Sequence, residues 1–243
     1  MRLFLAATSS KPFLKDEVSQ CRYVLESFYY FKEWQVPLIK SSKDFLLDSG
    51  AFTFMNSSKG KVVDWDSYVD RYIEFININD IKHFFELDID VIVGYEKVKQ
   101  IRKRIEARTG KQCIPVWHRN RGAEEYISLC NEYPYIAIGG FAIKDIKQNE
   151  YRSIPYLLDK ANSRGTKVHG LGFTPPNVME YPFYSVDSSS WGTGSRFASV
   201  YLFQNGRMNV LAKKSNKRLI DYKSLDKHNL KQWLKYQKYL DKE

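Results

Sequence analysis

The chain has 243 residues, of which 43% are hydrophobic and 15% aromatic; that is enough to fill a sizeable core, so a mean hydropathy of −0.48 does not read as disorder. Lys and Arg number 38 against 28 Asp and Glu, a formal charge of +10, which biases encounter toward polyanions such as nucleic acid, though the same surplus also serves solubility. Cys21, Cys113 and Cys130 form no CxxC or CxC group, which argues against a disulfide framework or a zinc knuckle. The apolar run at residues 1–7 lacks the length of a signal h-region and nothing later approaches a membrane span, so the expected compartment is cytoplasmic and no membrane partner is expected.

In chain order, short apolar or β-branched runs alternate with longer amphipathic stretches, the signature of repeated βα units around a parallel sheet. Strands are predicted at residues 2–7, 45–48, 83–87, 112–117, 135–138, 167–170 and 183–186, with 199–203 as a further candidate. Helices are predicted at 64–78, 95–108, 123–131 and 154–163. Trp65, Tyr68, Val69, Tyr72, Ile73 and Ile76 make one stripe whose ordinary meaning is a helix packed on a sheet. Residues 50–61 hold a polar stretch too long for a minimal βα turn, a candidate lid or substrate loop. The run at 199–203, a turn around Asn205-Gly206 and the run at 208–211 read as a β-hairpin. The tail, 224–243, is helical, with Leu230, Trp233, Leu234 and Leu240 on one face interrupted by Gln237. The expected fold is α/β, a single (β/α)8 TIM-like barrel domain over 1–243 with a C-terminal hairpin and helix.

In such folds catalytic groups sit where strands end and loops begin. There the sequence places Asp48-Ser49-Gly50-Ala51-Phe52, then Asp88 and Asp90, then His118-Arg119, Gly139-Gly140-Phe141-Ala142, Gly170-Leu171-Gly172-Phe173 and Asp187-Ser188-Ser189-Ser190-Trp191. Any one acid alone reads as a cap or turn residue; three at three strand ends, with a glycine pair at a fourth, read as an active site. The chemistry that fits is displacement at a sugar anomeric carbon, one carboxylate attacking while another handles the leaving group's proton. A third acid can accept two parallel hydrogen bonds from a guanine edge. His83 and His169 read as buried, hydrogen-bonded histidines.

Leu47-Asp48-Ser49-Gly50-Ala51-Phe52 resembles the DSGGF segment of tRNA-guanine transglycosylases, and Ala137-Ile138-Gly139-Gly140-Phe141-Ala142 resembles their IGGLA segment. His169-Gly170-Leu171-Gly172 and Val186-Asp187-Ser188-Ser189-Ser190-Trp191 are similar to their glycine-rich strand and nucleophile segment. The variants DSGAF and VDSSSW look more like the short phage branch, the 7-deazaguanine DNA transglycosylases. The resemblance implies a TIM barrel that swaps guanine for a 7-deazaguanine such as preQ0 through a covalent glycosyl-enzyme, with no ATP, nicotinamide or metal. By position Asp187 is then the nucleophile and Asp48 the general acid/base. The base-binding set is Asp88, with Asp90 as its rival, together with Phe52, His118, Gly139, Gly140, Phe141 and Gly172. Phe52, Phe141 and Trp191 are candidates to stack on an extruded base, with core packing as the other reading of each. Arg119, Trp191 and Arg196 are the candidate nucleic-acid contacts, and the clusters Lys97, Lys99, Arg102, Lys103, Arg104 and Lys213, Lys214, Lys217, Arg218 are candidates for phosphates, a solvated face being the ordinary reading of either.

Thr53 and His118 stand where the family has glutamines, its C-terminal Cys₃His zinc site is missing, and Trp191-Gly192-Thr193-Gly194-Ser195-Arg196 replaces its arginine-bearing segment. These departures favour DNA over tRNA as the nucleic-acid partner. A glycosylase that lets water finish the reaction, and a non-catalytic nucleic-acid-binding barrel, are the rival readings.

Overall fold

Eight short strands whose inward side chains are spaced two apart build one parallel sheet in a computed structural model that describes residues 1–51, 53–54, 63–211 and 221–242. They are β1 (Arg2–Ala6), β2 (Tyr23–Ser27), β3 (Asp44–Asp48), β4 (His83–Phe84), β5 (Val116–Trp117), β6 (Tyr135–Ile138), β7 (Lys167–Gly170) and β8 (Ser185–Ser188). Their order is β4-β3-β2-β1-β8-β7-β6-β5. A parallel bridge between Phe85 and Ile114 joins the two outer strands, with Ile114 N donating to Phe84 O at 2.8 Å and Glu86 N to Ile114 O at 3.1 Å. The sheet therefore curls into a TIM-like α/β barrel, as the βα alternation predicts.

Period-two alternation points Phe4 and Ala6, Tyr23 and Leu25, Leu46, Phe85, Ile114 and Val116, Tyr135 and Ala137 into one inner cluster. The alternate residues, such as Leu3, Leu5, Val24, Leu47, Ile136 and Val168, join the larger cluster formed with the helices. Those helices are α1 (Lys15–Val18), α2 (Val36–Ser41), α3 (Trp65–Ile78), α4 (Asp90–Val93), α5 (Tyr95–Thr109), α6 (Gly122–Glu132), α7 (Ile154–Asn162), α8 (Gly194–Phe197) and α9 (Tyr222–Leu240). On α3, Tyr68, Val69, Tyr72, Ile73 and Ile76 are buried, and the Asp64 side chain caps its start by accepting from Ser67 N. The helices predicted at 64–78, 95–108, 123–131 and 154–163 fall within one residue of their expected limits.

Two expectations need correcting. The eighth barrel strand is β2, not the run at 199–203, which forms the expected hairpin: β9 (Val200–Gln204) pairs antiparallel with β10 (Arg207–Leu211) in a separate two-stranded sheet. The turn between them has Asn205 at φ 51° and Gly206 at φ 75°, the left-handed pair that a two-residue hairpin needs. The last barrel strand also runs further than expected, so that Asp187 is part of β8 rather than of the loop after it.

The C-terminal helix docks by side-chain amides. Asn229 Oδ1 accepts from Tyr201 N at 2.9 Å and Gln232 Oε1 from Phe203 N at 3.1 Å, which satisfies backbone groups along β9. Gln237, the polar interruption in the apolar face, is fully buried; its amide donates to Leu3 O at 2.8 Å and Tyr23 O at 2.9 Å and its oxygen accepts from Arg22 N at 2.7 Å. No helix among the described residues is long and apolar enough to cross a membrane.

Candidate active site

At the C-terminal ends of the strands the inward alternation continues from apolar to polar: Leu46 is followed by Asp48, Val116 by His118, Ala137 by Gly139, and Ser185 by Asp187. These residues open onto a cavity of about 530 Å³, large enough for a flat bicyclic base. Asp48, Asp88, Asp187, His118, Gly139, Gly140 and Gly172 all line it, as do Ser27, Tyr30, Glu86, Ile143 and Ser188.

Asp187 is 9% exposed. Its Oδ1 accepts from Gly172 N at 2.7 Å and lies 3.2 Å from His169 Nε2. Gly172 adopts φ 69°, a left-handed conformation that turns its N–H toward the carboxylate. Asp48 Oδ2 accepts from Gly50 N at 3.0 Å. Burial raises the Asp48 carboxyl to about 6, with the charges of Asp187 and Asp88 adding to the effect against the Gly50 hydrogen bond. Two neighbouring acids in different surroundings are the arrangement from which a proton donor and a nucleophile can be drawn.

Asp88 is gripped on both oxygens, Oδ1 by Arg121 Nη2 at 2.8 Å and Oδ2 by His118 Nε2 at 2.6 Å. Burial opposes a charged His118, but the hydrogen bond and charge of Asp88 outweigh it, so its pKa is raised. The ring packs against the Gly139 backbone just after β6: a Cβ on Gly139 would fall 2.5 Å from His118 Cε1. Arg121, with a side chain only 2% exposed, also meets Glu86 Oε1 at 3.1 Å, Asp90 Oδ2 at 3.3 Å and the Val116 carbonyl, and stacks 4.2 Å from the centroid of Tyr95.

Several expected roles meet a different placement. Arg121 pairs with both rival acids, but only Asp88 lines the cavity. The Phe141 ring is buried against Phe173, 4.6 Å away, in an aromatic cluster, leaving Gly140, Ala142 and Ile143 as the wall. Trp191 is 0% exposed and donates its indole N–H to Ala6 O at 2.9 Å; it packs the core and offers no stacking face. Phe52 and the cluster Lys213, Lys214, Lys217, Arg218 lie outside the described residues, as does most of the candidate lid. Arg119 is half exposed and paired with Glu150 and Asp145, and Arg196 is exposed on α8. On α5, Arg102 pairs with buried Glu86, Arg104 with Asp66 and Asp70, and Lys99 with Glu96, so three of that cluster's five cations already have protein partners. His83 is 40% exposed in its side chain and bonded to Asp44, against the expectation of burial, whereas His169 is fully buried and bonded.

Sequence reasoning missed Arg121, Glu86 and Tyr30. The first two had a signal: Glu86, Asp88 and Asp90 alternate behind one strand, and acids so close demand a buried cation. Tyr30 follows β2, the strand that was not foreseen. Among the described residues, no group of three or more His, Cys, Asp or Glu side chains is arranged to hold a metal ion.

No family model matches the chain, and no curated protein does. Among solved structures, it is similar to the carboxyl transferase domain of Rhizobium etli pyruvate carboxylase, with a TM-score of 0.49 and 11% identity over 98% of this chain. The chain spans about half, 48%, of that structure's length.

Proposed function

We propose that the protein is a pentosyltransferase that replaces guanine in DNA with a 7-deazaguanine base such as preQ0, by way of a covalent aspartyl-sugar intermediate. The observation that carries this reading is the meeting of Asp48, Asp88 and Asp187 around one base-sized cavity, on strands whose motifs resemble those of the transglycosylases.

In the first displacement a carboxylate oxygen of Asp187 bonds to C1′ as the C1′–N9 bond breaks, its electron pair leaving with guanine, and Asp48 supplies the proton. A carboxyl raised to about 6 holds a proton for that step near neutral pH better than an ordinary aspartate. In the second, N9 of the incoming base attacks C1′ from the face guanine left, Asp48 takes the N9 proton, and the Asp187 carboxylate is released, so configuration is retained. The Asp88–His118 pair faces the base edge, and Tyr30 and Ile143, both about half exposed, offer apolar surface to the ring. A base within a duplex has to be flipped out, at a cost on the order of a few kcal/mol.

The test is trapping. The protein is incubated with guanine-containing DNA and no acceptor base, denatured and digested, and the peptide holding Asp187 is weighed; in parallel, labelled guanine or preQ0 is offered with DNA and with tRNA. A DNA adduct on that peptide and label in DNA are expected. Abasic sites without incorporation would establish a hydrolase, label only in tRNA would move the substrate, and binding with neither adduct nor label would leave a binding barrel.

A further inference from the structure

Beneath Asp187 a chain of polar side chains runs through the otherwise apolar barrel interior. Tyr135 Oη lies 2.5 Å from Ser185 Oγ, Ser185 Oγ lies 2.7 Å from His169 Nδ1, and His169 Nε2 lies 3.2 Å from Asp187 Oδ1. The members come from β6, β8 and β7, and all are buried. The imidazole is held between Phe4 and Phe85, with centroids at 5.9 and 5.4 Å.

Hydrogen-bond arithmetic orders this chain. A carboxylate only accepts, so Nε2 carries the proton and donates to Asp187; Nδ1 of the neutral ring then accepts from the Ser185 hydroxyl, whose oxygen accepts from the Tyr135 hydroxyl. Burial holds the Tyr135 phenol far above its ordinary pKa, keeping it a donor. With Gly172 N–H also on Oδ1, that oxygen receives two donors, whereas among the described residues no hydrogen bond falls on Oδ2.

We propose that His169 is a positioning residue, locked as its Nε2–H tautomer by Ser185 and Tyr135, that ties down Oδ1 of Asp187 and leaves Oδ2 as the atom that attacks the sugar. The inference rests on the base-exchange reading for its chemistry, though not for its geometry. When Oδ2 bonds to C1′, Oδ1 becomes the ester carbonyl oxygen and keeps both donors. When the incoming base breaks the C1′–Oδ2 bond, the electron pair returns to a carboxylate whose charge spreads onto Oδ1, where two N–H groups are already aimed. The donor therefore matters most in discharge of the intermediate.

Two measurements on the full chain test this. The first is ¹⁵N NMR of the histidines in the protein without substrate, with His169→Gln to assign the signal. The expected pattern is a pyrrole-like Nε2 and a pyridine-like Nδ1, and Ser185→Ala should broaden or shift it; an Nδ1–H tautomer in the wild type overturns the lock. The second follows formation of the Asp187 adduct on a single-stranded guanine-containing oligonucleotide and its discharge by added guanine. His169→Leu should slow discharge on the order of 10²-fold, the scale for loss of one preorganised donor, with KM for the oligonucleotide little changed. His169→Gln, whose amide N–H reaches toward the same oxygen, should recover most of the rate, and Tyr135→Phe, which keeps the ring and removes only the hydroxyl, should fall between. Wild type that forms no adduct overturns the base-exchange reading, and the NMR still decides the lock. Wild type that forms the adduct, with folded His169→Leu or Tyr135→Phe discharging it as fast, overturns the positioning role alone.

Discussion

Asp48→Asn offers a test of the site's electrostatics that needs no substrate. Asparagine has the shape of aspartate and its oxygen can still accept from Gly50 N, so the change isolates charge. The Asp48 carboxyl moves from an ordinary 3.8 to about 6 on folding. A raised folded pKa contributes stability that is fully present below pH about 4 and is lost as pH rises through about 6. At about 1.4 kcal/mol per pH unit the loss is roughly 3 kcal/mol, which the partial exposure of Asp48 reduces to about 2 kcal/mol. Asp48→Asn should therefore match the wild type in urea denaturation at pH 4 and exceed it by about 2 kcal/mol at pH 8, while guanine exchange is abolished. Because Asp187 and Asp88 contribute to the shift, the gain at pH 8 should shrink in an Asp187→Asn background. A variant no more stable than the wild type at pH 8, or equally stabilised at both pH values, would refute the argument.

Arg121→Met removes the cation shared by Glu86, Asp88 and Asp90 and should cost about 3–5 kcal/mol, read as a lower denaturation midpoint, since it strands buried carboxylates. Gly139→Ala puts a Cβ 2.5 Å from His118 Cε1; it should break the His118–Asp88 bond and lower exchange by at least about tenfold, with His118 displaced in an NMR titration. Gln237→Leu leaves Leu3 O, Tyr23 O and Arg22 N without their partner and should cost about 2–4 kcal/mol by chemical denaturation.

The elements that sequence makes legible are those with one wet face. The stripe on α3 could be read because solvent imposes period 3.6 on the exposed side. Strand β2 escaped because Tyr23, Val24 and Leu25 are buried on both faces and the run is only three residues long between Arg22 and Glu26. The apolar run ends at Val186, which sets the expected strand end there; the strand continues through Asp187 because Gly172 N and His169 supply donors for the acid. Of the two readings open for Trp191, core packing is the one seen, because its indole N–H finds Ala6 O. Which acids share the cavity was foreseeable from the strand ends, but the choice of Asp88 over Asp90 was not. Arg121 grips both acids; what separates them is that Asp88 also meets His118 at the cavity wall, whereas Asp90 begins the helix α4 outside it.

The position of β1 in the barrel has a consequence for how the protein is made. Its two neighbours are β2 and β8, so one edge of the first strand has no partner until residues 185–188 exist. A ribosome adding 5–20 residues per second needs on the order of 10–40 s to cover the roughly 180 residues between them. For that interval the nascent chain presents the Leu3-Phe4-Leu5 segment as an open ladder, a natural ligand for a holdase or for another nascent copy.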